Sequence, residues 1–170
     1  MRCFRLPLAA CLAVLLGGCA GYQVGPTGGQ TAGEKSVQIV PFTNRTPEAR
    51  LADAVTAALR KELQRDGTFR LVTQDPGDIV VSGALIRYER REISLVPGDV
   101  ATAQDYNVSL TAQVTARDRR SDKVIFDQAV TSHTLVRVTQ DLPSSERQSL
   151  PLLATELARR VTALLADGSW

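Results

Sequence analysis

Between Tyr106 and Ala116 the chain alternates strictly. Tyr106, Val108, Leu110, Ala112, Val114 and Ala116 take every second position, and Asn107, Ser109, Thr111, Gln113 and Thr115 fill the places between. A period of two puts each set on its own face of a strand, so one face is buried and the other is polar or wet. Long β-type runs flank this one. The first extends from Ile79 towards Leu95, after the breaker Asp75-Pro76-Gly77-Asp78 and before a turn at Pro97-Gly98-Asp99. The second covers Val124 to Val138, beyond a hairpin tip at Ser121-Asp122. Upstream, Ser36 to Phe42 sets Val37, Ile39 and Pro41 against Gln38, Val40 and Phe42. Proline has no N–H for a ladder, so Pro41 predicts an edge or a strand end. Phe69 to Thr73 is a further short strand.

Two stretches repeat with the helical period instead. Leu51, Val55, Leu59 and Leu63 recur every fourth residue with Ala54 and Ala58 beside them. Asn44 and Arg45 predict the turn before this helix, Thr46-Pro47 its N-cap and first position, and Gly67 its C-cap. The second stripe is Leu150, Leu153, Leu157, Val161, Leu164 and Leu165. A proline ring clashes with the preceding turn, so Pro151 predicts that the regular part starts near Ser149. The expected fold class is α+β: a β-α-β-β-β-β-α sandwich, two helices packed on one face of a mixed, mostly antiparallel sheet. No internal repeat is evident.

The N-terminus follows a different rule. Arg2 and Arg5 precede an apolar run from Leu6 to Leu16, then Gly17, Gly18 and Cys19. Charge, apolar core and small residues in that order make a secretory signal. The run reaches only about half of a ~30 Å hydrocarbon layer, too short for a spanning helix. Leu16-Gly17-Gly18-Cys19 resembles the lipobox of bacterial lipoproteins, in which the cysteine becomes the acylated N-terminus. Cys3 and Cys11 leave with the signal, so the mature chain keeps one thiol, Cys19, which acylation accounts for. By the same resemblance Ala20, in place of an aspartate, points to the outer membrane. The organisation expected is a lipoprotein signal peptide over 1–18, a lipidated N-terminus and flexible tether over 19–34, and a single α/β domain over 35–170. The glycines of the tether lack the preceding strand and the closing Gly-Lys-Ser/Thr of a phosphate loop.

Removing the signal also changes the charge. The full chain has 20 Lys and Arg against 18 Asp and Glu. Arg2 and Arg5 are in the signal, so the mature chain is formally neutral and carries no field that would draw nucleic acid. Catalytic signatures are missing too: the sequence has one histidine, His133, placed in a strand, and no Gly-x-Ser-x-Gly elbow or His-x-x-x-His pair. The carboxylate pairs Asp75/Asp78 and Asp118/Asp122 fall at turns, where solvated turn chemistry explains them. The expectation is a non-enzyme with no cofactor and no metal. One basic group remains as a candidate site. Arg90 and Arg91 lie late in the first long strand, and Arg117, Arg119, Arg120 and Lys123 flank the hairpin tip. Guanidinium matches phosphate with paired hydrogen bonds. The plainer reading, an ordinary solvated hairpin partly neutralised by Asp118 and Asp122, carries more weight.

The order of these elements carries a family resemblance. Val40-Pro41-Phe42-Thr43-Asn44-Arg45-Thr46, the leucine stripe after it and Phe69-Arg70-Leu71-Val72 are similar to the LptE family. Gly21-Tyr22, Asp78-Ile79-Val80-Val81-Ser82-Gly83, Tyr106, Lys123-Val124-Ile125-Phe126 and Leu164-Leu165 near Trp170 extend the likeness over nearly the whole mature chain. The first half alone also looks like CsgG-like lipoproteins and activators of penicillin-binding proteins; the three long strands and terminal helix after Gly83 favour LptE. The resemblance implies a lipoprotein on the periplasmic leaflet of the outer membrane. It implies a large β-barrel partner, LptD, which it plugs and helps to fold in lipopolysaccharide transport to the cell surface. Lipopolysaccharide contact through basic residues is implied as well, for which Arg90, Arg91, Arg119, Arg120 and Lys123 are the candidates here. The alternative is a periplasmic lipoprotein of the CsgG-like or activator type, acting through protein–protein contacts.

Overall fold

The computed structural model describes residues 32–96, 99–138 and 141–167. The predicted signal, Cys19 and nearly all of the predicted tether lie outside them, as do Pro97 and Gly98 of a predicted turn. The elements are β1 (Ser36–Ile39), β2 (Thr43–Asn44), α1 (Leu51–Asp66), β3 (Arg70–Val72), β4 (Ile79–Val96), β5 (Asp99–Asp118), β6 (Val124–Arg137) and α2 (Leu142–Ala166). The sheet order is β3-β1-β4-β5-β6, with β2 also paired to β4. β1 runs parallel to both neighbours and β2 runs parallel to β4, whereas β4, β5 and β6 form a long antiparallel meander.

Both helices cover one face of this sheet, as the period-two pattern predicts. Val108, Leu110, Ala112, Val114 and Ala116 of β5 are fully buried, with Ile79, Val81 and Leu85 beside them on β4. Leu51, Val55, Leu59 and Leu63 from α1 and Leu153, Leu157, Val161 and Leu165 from α2 close the other side. Each such side chain withdrawn from water contributes on the order of 2 kcal/mol. Gly67 ends α1 with φ +74° and donates its N–H to the Leu63 carbonyl, the left-handed cap that glycine adopts without strain.

Three details differ from expectation. The sheet has six strands rather than five, because the chain pairs twice along β4 on either side of Pro41. Pro41 separates β1 from β2, and hydrogen bonds from Val40 N to the Val81 carbonyl and from Arg45 N to the Leu85 carbonyl (both 2.9 Å) keep the chain on track. β1 is therefore interior; the proline marks a strand end, not an edge. Helix α1 begins at Leu51, not at Thr46-Pro47. The Asn44 side chain accepts from Thr46 N (2.9 Å) and Thr46 Oγ1 (2.7 Å) and donates to the Glu48 carbonyl (2.7 Å), which holds these residues in a turn.

Helix α2, the third difference, starts at Leu142 and runs through Pro151. Asp141 accepts from Ser144 N at 2.7 Å and Pro143 sits in the first turn, a strong start that local rules around Pro151 do not reveal. Pro151 is solvent-exposed, where the carbonyl it leaves unpaired can turn to water, while Ser149, Leu150 and Leu153 stay buried on either side.

Candidate functional site

The face of the meander that the helices leave uncovered is predominantly polar. Its geometry is set by a bulge in β4. Leu85 pairs with Ala112 and Arg87 with Thr111, so Ile86 is an extra residue and the parity of β4 changes. Beyond it Arg87, Glu89 and Arg91 join the row of polar β5 residues, and Tyr88, Arg90 and Glu92 turn to the helix side. Across the three strands the rows read Arg87–Thr111–Thr131, Glu89–Ser109–His133 and Arg91–Asn107–Leu135. All of these except Leu135 line a half-open trough of about 660 Å³. The Thr111 and Thr131 hydroxyls lie 3.0 Å apart, and Arg87 pairs with Glu89 at 3.5 Å. A further row closes this face: Asp105 accepts from Arg137 Nε at 2.8 Å and from Ser94 Oγ at 2.6 Å. The sequence alternation exposed the polar set on β5 but not the bulge that brings three charged residues of β4 beside it.

The candidate cations do not form one cluster. Arg91 pairs with Asn107 in the register and the hairpin tip follows Asp118, so about 37 Å of strand separates them. Arg90 and Arg91 even face opposite sides. Arg90 donates to Glu146 of α2 at 3.1 Å, and the Tyr88 hydroxyl donates to the same carboxylate at 2.9 Å. Burial, reinforced by Glu146, pushes the Tyr88 hydroxyl well above the usual tyrosine value. These contacts fasten the start of α2 to the sheet. Arg91 stays on the open face and has no ion-pair partner among the described residues.

At the other end, Arg117 pairs with Asp122 at 3.0 Å and Arg120 with Asp78 at 3.9 Å, while Arg119 and Lys123 have no ion pair among the described residues. The acids here serve the turns. Asp118 accepts from Arg120 N, Ser121 N and Ser121 Oγ, and Asp122 takes φ +56° at the tip. Ser36 N and Oγ donate to Asp78 at 2.9 and 2.6 Å, and Asp78 N donates back to Ser36 Oγ at 2.9 Å.

These bonds have a consequence for acid stability. The Ser36 hydroxyl holds Asp78 below the usual carboxylate value, the Arg137 guanidinium does the same for Asp105, and backbone N–H groups of Ser121 and Ser144 do so for Asp118 and Asp141. A lowered folded value contributes stability that is complete above the unfolded value of 3.8 and lost as pH falls below it through the folded values. The thermal midpoint is expected to hold from neutrality down to that value and then drop, with Asp78→Asn flattening the drop. A midpoint indifferent to pH in the acid limb would contradict it.

Among the described residues no group of three or more His, Cys, Asp or Glu is placed to hold a metal, and no helix is long and apolar enough to cross a membrane. His133 is an exposed residue of the trough, opposite Ser109.

Comparison with known proteins adds the following. A family model described as LptE, lipopolysaccharide-assembly, matches residues 34–166. No curated protein matches the chain significantly. Among solved structures, protein XCC0632 from Xanthomonas campestris is 9% identical with a TM-score of 0.62, over 87% of this chain and 93% of that one. A putative lipoprotein from Caulobacter crescentus is 12% identical with a TM-score of 0.52, over 76% and 89%. The PelC dodecamer from Paraburkholderia phytofirmans is 19% identical with a TM-score of 0.52, over 82% and 94%. At these identities the likeness is one of fold.

Proposed function

Because this chain belongs to the LptE family of lipopolysaccharide-assembly proteins, we propose that it is an outer-membrane lipoprotein that partners a large β-barrel of the LptD kind. In this reading residues 1–18 are the signal, Cys19 is cleaved free and acylated on the periplasmic leaflet, and the domain from residue 35 plugs the barrel and assists its assembly. The family is non-enzymatic, and the role is one of contact. The observation that carries the reading is the uncovered face of the meander: three long strands left open and lined mainly by hydroxyls, amides and charges, with exposed Leu135 and Ile86 among them, while both helices cover the other side. An antiparallel sheet can leave one face in water, and a neutral polar face of this kind suits the water-lined wall of a barrel lumen. Arg91, without an ion pair among the described residues, is the candidate of the five that lies on that face with room to meet a lipopolysaccharide phosphate.

Extraction of native membranes in mild detergent tests this directly. The protein is expected to co-purify with a large heat-modifiable β-barrel in a fixed ratio. A chain that consistently migrates alone would sink the reading. A ring of its own copies would favour the alternative of a self-assembling or regulatory lipoprotein; the similarly folded PelC of Paraburkholderia phytofirmans is a dodecamer.

A further inference from the structure

Strand β6 is an edge of the sheet: the order β3-β1-β4-β5-β6 gives it a neighbour on one side only. The opposite edge, β3, has three residues, whereas β6 has 14. Its register with β5 runs unbroken from Phe126 to Arg137, and Val124–Arg137 contains no proline, glycine or lysine. Bulges, prolines and lysines are the devices that keep most edges from pairing with another chain. Asp127 and Arg137 are the charged residues of β6, and the stretch between them carries none, with His133 neutral. Which backbone groups face outward is fixed by one bond. Arg160 Nη1 donates to the Thr131 carbonyl at 2.8 Å from α2, so that carbonyl is turned away from β5. Outward groups recur at every second residue of an antiparallel edge. Asp127, Ala129, Thr131, His133, Leu135 and Arg137 therefore present N–H and C=O to whatever lies beside β6. Leu135, in this set, is 72% exposed.

We infer that this edge pairs antiparallel with β6 of a second copy of the chain, about a twofold axis through Ser132. The inference does not depend on the barrel partner proposed above. Complementarity is what selects a second copy. Antiparallel pairing of β6 with itself sets Asp127 opposite Arg137 in one register only. In that register Ala129 faces Leu135 and Thr131 faces His133, and each pair occurs twice by symmetry. All of these residues have outward backbone groups, so both hydrogen bonds of each pair can form. Arg137, already bonded to Asp105 at 2.8 Å, then lies between two carboxylates, and no like charges meet across the axis. Arg160 is the guard of this edge. Its Nε donates to Glu156 at 3.0 Å, and its Nη1 occupies the Thr131 carbonyl that the pairing needs.

The test uses the full chain purified in detergent. Sedimentation is expected to show a concentration-dependent dimer. Arg160→Ala should tighten it about tenfold, since a charge-assisted bond no longer competes in either copy. His133→Pro removes an outward N–H without touching the ladder to β5, and Asp127→Lys sets like charges opposite Arg137. Each is expected to weaken association about tenfold or more, with circular dichroism to check that the variant folds. Register is read with a short thiol crosslinker on the double variant Ala129→Cys/Leu135→Cys. Its two thiols lie about 20 Å apart within one copy but face each other across the axis, so linked dimers are expected from it and not from either single variant. A chain that stays monomeric both as it stands and as Arg160→Ala overturns the pairing. So does a dimer indifferent to His133→Pro and Asp127→Lys, or one that the single variants link as readily, because the contact then lies elsewhere. In native membranes, linkage of the double variant to another protein and not to itself gives the edge to that protein and overturns the second copy.

Discussion

Gly83→Ala is expected to destabilise the domain by about 3 kcal/mol, the upper part of the range for overpacking a filled core. A Cβ built at Gly83 would overlap Phe42 Cε1 and stand 2.8 Å from both Phe42 Cζ and the Gln113 carbonyl oxygen. Two of these neighbours belong to a ring that is itself confined: Phe42 is 5% exposed and its N–H donates to Thr56 Oγ1 of α1 at 3.2 Å. The third is backbone of the adjacent strand and cannot move without opening the ladder. The glycine is thus required by close approach, not by its dihedral angles. Urea unfolding should show the midpoint fall with little change in slope. Phe42→Leu in the same background should recover part of the loss but not all, since the contact with Gln113 remains. An alanine variant of wild-type stability would show that Phe42 does not sit over residue 83.

The second large effect concerns Cys19. Cys19→Ser is expected to abolish incorporation of labelled palmitate and to release the protein from membranes washed in conditions that break protein–protein contacts. One acyl chain holds a protein only reversibly and two or more hold it firmly, at ~0.8 kcal/mol per buried methylene, so losing all of them lowers membrane partition by many orders of magnitude. In gentle washes a barrel partner would retain some of the variant, which makes the difference between the two washes informative. Undiminished attachment after the harsh wash, without palmitate, would overturn the anchor. No competing thiol complicates the result, because Cys3 and Cys11 precede the predicted cleavage site.

Much of the fold was legible because it is written in periods. The every-second-residue pattern from Tyr106 to Ala116 and the fourfold spacing of Leu51, Val55, Leu59 and Leu63 each reflect one buried face, and the structure buries all of those residues except Tyr106, which is half-buried. What escaped has no period. β2 is two residues long, and its hydrogen bonds come from backbone that any side chain supplies. The start of α2 depends on Asp141 and on burial beyond Pro151, so a rule confined to the proline misplaces it. The bulge at Ile86 redirects Arg87, Glu89 and Arg91, and a bulge follows from register, which a single strand's sequence does not contain. For the same reason Arg90, Arg91 and the tip cations look like one basic set in the sequence and stand at opposite ends in space. The candidate site was therefore half readable: its β5 row was visible, its β4 row was not.

Helix α2 closes the sandwich and is the last of the described elements in chain order. Without its 25 residues the apolar sides of β5 and β6 would have no cover, and Val108, Leu110 and Val130 would face solvent or a chaperone. A 14-residue edge strand, β6, would then also lack the Arg160 side chain that caps its Thr131 carbonyl at 2.8 Å. A stop codon within the last helix would leave the cell not a shorter protein but an unsealed sheet, with the aggregation and turnover that such a surface invites.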